Sequence, residues 1–461
     1  MKRLTKKLYP TPRLPEKVLQ FGEGAFLRAF ADYAFDILIE KELFDGSITI
    51  VQPLEEGTVP YLAEQDGLYT LIIKGMNGGA DVDERRVISC VQEYINPYRD
   101  YDNYMKSAMN PHLRYIISNT TEAGIEFNPR DILTDKPQRS FPGKVAAFLY
   151  KRFLYFNGDN SKGLVFLPCE LIDNNGMKLR SLVQMYADKW ELGPYFKKWL
   201  HEANVFCDTL VDRITTGFPH QDAQDLFEEL GYKDELIDVS EPFYFWAIEG
   251  PAWLADELKF YEAGLNVIIT DDISQYKTRK VRLLNGAHTC SVPAALLCGL
   301  ATVGEMMADE DFERYLQKVL FEEIIPALHY LPTDELNNFA AAVLDRFSNP
   351  YVRHELSSIM LNSVSKFEVR VMPTIGDYYC RFYKIPKILT FSLAALKTYY
   401  KKEHNTGDLE VLDKLINKHT CEAAPGHFLA SKEFHRAVSA YMDKIEQVGI
   451  REVMRKLIYD E

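Results

Sequence analysis

The stretch KVLQFGEGAFLRAFADYAFDILIE, residues 17–40, decides the fold. Lys17 to Phe21 is a short, mainly apolar run of strand type. Beyond it, Phe26, Phe30, Ala34, Ile37 and Leu38 recur at the spacing of one helix face. A strand that passes into an amphipathic helix through Gly22-x-Gly24 has the form of a dinucleotide-binding turn. The first glycine permits the sharp exit from the strand, and the second lets backbone approach a pyrophosphate. The helix start then offers free amides to that anion. Leu27 stands at the third glycine position, which predicts a helix set slightly farther from the sheet. A plain glycine turn closing a strand has the same letters.

Outward from this turn, SITIVQP (residues 47–53) reads as the second strand. Glu55 or Glu56 beyond its end would accept the adenosine ribose hydroxyls and repel a 2′-phosphate, which favours NAD over NADP. LYTLIIKG, RRVISCV, RYIISNT and GLVFLPCE add strand-like runs, with helical stretches such as residues 143–156 between some of them. Compact apolar strands alternating with helices predict a parallel α/β sheet. The loop SNTTEAG, residues 118–124, leaves such a strand at the end where a nicotinamide ribose is met. The candidate cofactor set is Phe21, Gly22, Gly24, Arg28, Glu55, Ser118, Asn119 and Thr120. Arg28, one turn into the helix, could reach a phosphate or a substrate acid, or lie at the surface. After the strand-like NVIITDD (residues 266–272) the pattern becomes helical to the end, so the expected division is 1–275 and 276–461.

Composition narrows the class. The chain has 461 residues, 47% hydrophobic and 26% charged, enough for two or three domains with sizeable cores. A net charge of -14 disfavours nucleic acid and anionic lipid as partners. No apolar run approaches the roughly 18 residues that span a bilayer. Seven scattered cysteines without a CxxC pair fit a reduced, cytoplasmic setting. The ten histidines show no HExxH spacing, and no structural metal is expected.

The strongest chemical signal is YKTRKVRLLNGAHT, residues 276–289. On an α-helix, Lys280, His288 and Asn285 fall near about 0°, 80° and 140°, one broad face, with Lys280 and His288 roughly 12 Å apart along the axis. Carbonyl reduction needs such a group, because the oxygen becomes anionic as hydride reaches carbon. A lysine can supply the proton, particularly with Arg279 or Arg282 as neighbours. Asn285 can donate a fixed hydrogen bond to the same oxygen, and His288 can hold a hydroxyl. The same letters also fit a surface lysine, a satisfied core histidine and a mid-helix cap. LVDRITTG (residues 210–217) places Asp212 and Arg213 after an apolar start, as a buried pair or a supporting carboxylate would be. RFSNPYVRH (residues 346–354) holds a turn at Asn349-Pro350. Lys366 and Arg370, four apart, could clamp a substrate carboxylate or form a solvated pair.

Taken together, QFGEGAFLRAF, QDGLYT, SNTTEAGI, PCELIDNNG, LVDRI, KVRLLNGAHT and RFSNPY resemble the long-chain polyol-specific dehydrogenases, and the resemblance runs through nearly the whole chain. That family includes mannitol-, fructuronate- and tagaturonate-linked members. It implies a Rossmann-type N-terminal domain, a mainly α-helical C-terminal domain and an active site between them. Its Lys-x4-Asn-x2-His motif falls on Lys280, Asn285 and His288, implying general acid/base, oxyanion-stabilising and substrate-holding roles. Its VDR aspartate falls on Asp212. Zinc is not implied.

One departure bears on substrate. Mannitol-oxidising members carry an asparagine in a CDN segment as a second oxyanion donor. Here the run is Cys169-Glu170-Leu171. Loss of one such donor costs about 3 kcal/mol when nothing replaces it. The departure favours the uronate branch, and with it reversible NAD(H)-dependent reduction of D-tagaturonate to D-altronate. Fructuronate/mannonate and mannitol/fructose chemistry are the nearest alternatives, and a non-catalytic nucleotide-binding scaffold is the alternative of another class. The assembly state is left open.

Overall fold

The computed structural model describes residues 1–121, 124–352, 354–418 and 431–459. The chain divides into two compact units: Met1–Lys74 with Val82–Ile273, and Gly75–Asp81 with Ser274–Glu461.

The first unit is built on a six-stranded sheet of β1 (Glu16–Phe21), β2 (Ser47–Val51), β3 (Val91–Ile95), β4 (Tyr115–Ser118), β5 (Val165–Pro168) and β6 (Val205–Phe206). Their order across the sheet is 3-2-1-4-5-6, and every pairing is parallel. This is the doubly wound dinucleotide-binding arrangement, the Rossmann fold. Strand periodicity explains why it holds together, since successive side chains enter opposite cores. Val18, Ile48, Ile50, Ile117 and Leu167 pack on one face with Phe30, Ala34 and Leu38 of helix α1 (Ala25–Glu40). Leu19, Phe21, Val51, Ile116 and Phe166 pack on the other with the helices Phe141–Tyr155 and Asn175–Lys189. With both faces covered, the strands read as nearly continuous apolar runs.

One strand reading is corrected. RRVISCV is not a single strand, because Ala80–Ile88 ends before Ser89 and β3 begins at Val91. The break is held by the Asp36 carboxylate, which accepts from the amides of Ser89 (2.8 Å) and Cys90 (3.1 Å). Ala80–Ile88 and Tyr69–Asn77 belong to a separate four-stranded sheet. Asp208–Asp212 and Val267–Thr270 flank Phe245–Glu249 in a third sheet, the first antiparallel to it and the second parallel.

The second unit is helical. Its central helix, Gly286–Leu297, buries apolar and small side chains together with His288 and contains Pro293. The segment before it is not the plain α-helix the spacing predicts: Ser274–Arg279 is α-helical, but Lys280–Asn285 forms a π turn. No helix among the described residues is long and apolar enough to cross a membrane.

Candidate functional site

In the first unit a cavity of about 650 Å³ opens where the strand order reverses, between the ends of β1 and β4. Its wall includes Gly22, Glu23 and Gly24 after β1, Pro53 and Leu54 after β2, and Asn119 and Thr120 after β4. Ligands of open α/β sheets bind at such a switch point. Gly22 has φ +128°, and a Cβ there would lie 3.0 Å from the Asn119 carbonyl oxygen, so backbone shape and crowding both require glycine. A Cβ on Gly24 would meet nothing within 4 Å, leaving its surface open to a ligand. Gly24 also caps α1 without any side-chain hydrogen bond, so no side chain covers the first-turn amides. An open cradle, uncapped helix amides and an unpartnered carboxylate oxygen on Glu23 fit the pyrophosphate and ribose of a dinucleotide.

The other candidates of this unit have distinct surroundings. Phe21 is buried against Tyr104 and Phe141, beneath the turn. Leu27, at the third glycine position, fills the space under the turn, with its Cδ1 3.1 Å from where a Gly22 Cβ would be. Ser118, Asn119 and Thr120 are ordered by their neighbour strand. The buried Glu170 carboxylate accepts from Ser118 Oγ (3.1 Å) and from Thr120 N (3.0 Å) and Oγ1 (3.1 Å), while Asn119 Nδ2 donates to Cys169 O (2.9 Å). Burial pushes the Glu170 carboxyl up, opposed by those hydrogen bonds. Leu171, the residue that departs from the family's pattern, is exposed at 64%, whereas Glu170 beside it is buried and carries these contacts.

Two expectations are corrected. Arg28 does not face the cavity as a phosphate ligand: its buried guanidinium donates to Leu236 O, pairs with Asp238 at 3.6 Å and lies over the Tyr69 ring. Tyr69 and Asp238 belong to strands of the four-stranded sheet, and Leu236 lies just before the strand Asp238–Ser240. Glu55 is exposed and does not line the cavity. Gln52 Nε2 donates to the carbonyls of Leu54 and Glu55, both at 2.9 Å, and so shapes the loop after β2. Asp212 is buried at the end of Asp208–Asp212. The neighbouring Arg213 is committed elsewhere, donating to Glu241 O (3.0 Å) and Ala29 O (2.7 Å) and stacking on Tyr33 and Tyr244.

In the second unit the π turn reshapes the face that sequence spacing drew. A π turn carries one residue more than the α-helix it interrupts, so Asn285 and His288 move from about 140° and 80° to about 40° and −20° relative to Lys280. Lys280 and Asn285 are partly buried, and His288 is buried. The flanking arginines are already offset. Arg279 pairs with Glu335 at 3.4 Å, and Arg282 pairs with Asp377 at 3.6 Å and donates to Thr374 Oγ1 at 2.8 Å. Neither therefore presents an uncompensated charge to Lys280, contrary to the expectation from adjacency.

Lys366 and Arg370 lie on the helix Ser363–Arg370, whose end packs on the histidine helix. Arg370 NH1 donates to Thr289 Oγ1 at 3.3 Å, and a Cβ on Gly286 would lie 3.5 Å from Arg370 O. Lys366 Nζ donates to Ile359 O at 2.8 Å. Among the described residues, no carboxylate lies within 4 Å of either cation. Burial lowers both pKa values, and Arg370 lowers that of Lys366 further. RFSNPYVRH bears on the sequence reading through its turn and through the family resemblance, with no site role for its residues. That segment supplies Phe347, stacked on His288 at 3.9 Å, and His354, 5.2 Å from it. The aromatic and histidine at its ends were the available signal.

His288 has a buried Nε2 without a partner. Burial, then His354, Arg346, Arg370 and Lys366, hold its pKa well below the ordinary 6.5. The folded chain thus keeps it neutral, while the unfolded chain protonates it below that value. Stability from this residue is intact above 6.5 and falls by about 1.4 kcal/mol per pH unit beneath it. On going from pH 7.5 to pH 5.5, urea unfolding of the wild type is expected to lose about 1.4 kcal/mol more than H288Q. Equal losses would mean that His288 takes up its proton in the folded state.

Residues 16–262 match the mannitol dehydrogenase Rossmann domain and residues 272–448 the mannitol dehydrogenase C-terminal domain. The chain belongs to the mannitol dehydrogenase family and is an NAD-dependent oxidoreductase. Its relatives within that family include altronate oxidoreductases. It is 48% identical over 406 residues to that of Pectobacterium carotovorum subsp. carotovorum (strain PC1), covering 88% of this chain and 83% of the relative. It is 44% identical over 455 residues to that of Escherichia coli O1:K1 / APEC, covering 98% and 91%. In fold it is similar to a substrate-free D-sorbitol dehydrogenase, at TM-score 0.81 and 21% identity over 98% of this chain and 100% of the other. It is also similar to Pseudomonas fluorescens mannitol 2-dehydrogenase, at TM-score 0.70 and 22% identity over 100% of both.

Proposed function

We propose that this protein interconverts D-tagaturonate and D-altronate, with Lys280 as general acid and base. The observation that carries the acid substrate is the pair Lys366 and Arg370, two cations without a carboxylate neighbour among the described residues, next to the orphaned Nε2 of His288. Like charges held together at low exposure are stabilised by an anion, and a sugar-acid carboxylate supplies one. The altronate oxidoreductase relatives support the same choice.

When bound, the nicotinamide supplies hydride to the keto carbon or takes it from the alcohol carbon. Gly22, Gly24 and the α1 amides receive the pyrophosphate, and Ser118, Asn119 and Thr120 form the adjoining wall. Lys280 gives a proton to the oxygen during reduction and, as the neutral amine, receives the hydroxyl proton during oxidation. Asn285 donates to the oxygen while it carries negative charge. Neutral His288 holds a substrate hydroxyl through Nε2, and Lys366 with Arg370 receives the carboxylate. Asp212 is the supporting carboxylate implied by the family motif.

The test follows NADH absorbance with tagaturonate, fructuronate and fructose side by side. Tagaturonate is expected to give the highest kcat/KM. A preference for fructuronate or fructose would replace the substrate, and inactivity with all three would favour a non-catalytic scaffold.

A further inference from the structure

Neither Glu55 nor Glu56, the acids of the loop after β2, lines the dinucleotide cavity, and Gln52 is occupied with that loop. A carboxylate does enter from the other side of the crevice. Glu23, the middle residue of the glycine turn, is 9% exposed, lines the cavity beside Pro53 and Leu54, and has one carboxylate oxygen without a partner. Its side chain crosses to the loop after β2. A Cβ on Gly57 would fall 2.1 Å from Glu23 Oε1, and Thr58 Oγ1 donates to Glu23 O at 3.4 Å. The crevice between the ends of β1 and β2 is where an adenosine ribose lies in this fold.

We infer that Glu23 reads the adenosine ribose, accepting its hydroxyls and excluding a dinucleotide that carries a 2′-phosphate. A carboxylate accepts from a hydroxyl but has no donor for a phosphate, and a second negative charge in this crevice repels it. Burial holds the Glu23 carboxyl above its ordinary range, and the backbone amides of Glu23 and Thr58, then Arg28, oppose that rise. Arg28 thereby serves the turn from within the core. The inference rests on the NAD reading above, and a charge in the turn itself takes the place usually held by an acid at the second strand's tip.

Binding without substrate tests it. NADH and NADPH are titrated by fluorescence into the full-length wild type, E23Q and E55Q. The preference for NADH, as the ratio of the two dissociation constants, is expected to fall by about tenfold or more in E23Q, the scale of one hydrogen bond to a charged group. A ratio unchanged in E23Q, or shifted by E55Q instead, overturns the inference. Should E23Q fail to fold, wild type titrated with NADH lacking the adenosine 2′-hydroxyl decides: about tenfold weaker binding supports the inference, and unchanged binding overturns it. A wild type that binds neither dinucleotide removes the cofactor reading together with this one. Binding of NADH without any effect at Glu23 removes this one alone.

Discussion

Replacing Lys280 with alanine is expected to lower kcat by about 10²–10⁴, the usual contribution of a positioned general acid or base. NADH binding should be unchanged, because the cavity between β1 and β4 is built from the first unit and Lys280 stands in the second. The π turn sets the geometry of the lysine and the asparagine. In an uninterrupted α-helix Asn285 would sit about 140° around from the lysine, at the far edge of one broad face, whereas the additional residue reduces this to about 40°. Single-turnover reduction separates the alternatives. A variant that binds NADH normally and still turns over within a few-fold of wild type would remove Lys280 from the chemistry. Equal losses in binding and turnover would indicate a damaged fold.

The double variant K366A/R370A is expected to lower kcat/KM for the keto acid by about 10²–10³, in line with truncating partners of a desolvated charge contact at about 2–5 kcal/mol. The same variant should bind the uncharged polyol of the same carbon skeleton as well as wild type does, or better. Lys366 and Arg370 repel each other at low exposure, a cost that an anion received beside them would relieve. An equal loss for acid and polyol would assign both side chains to packing instead of carboxylate recognition.

The glycine turn was legible because strand and helix periods meet there without interruption: Leu19 and Phe21 face one core, Val18 the other, and α1 follows at helical spacing. Arg85–Val91 misled because apolar content does not record where a ladder stops. Asp36, far off in sequence, takes the amides of Ser89 and Cys90 and ends one sheet as another begins. Arg28 and Glu55 carried the right charges for their supposed tasks, yet partners chosen by tertiary packing set their directions. Glu23 and Glu170 lay inside the quoted motifs but between the letters that define them. Their burial gives them weight, and burial is not a local property.

The amino-acid sequence by itself determined the class of this molecule: a parallel sheet opening on a glycine turn, a helical second half, and Lys280, Asn285 and His288 within one short segment. These follow from local periodicity and from glycine's backbone freedom, which act over a few residues. Only the tertiary structure decided which charges are free to act. Asp238 takes Arg28, Glu335 and Asp377 take the arginines flanking Lys280, and Lys366 and Arg370 are left beside a neutral His288. The physical reason is that a charge's availability depends on its solvation and its partners, and both come from chain segments distant in sequence.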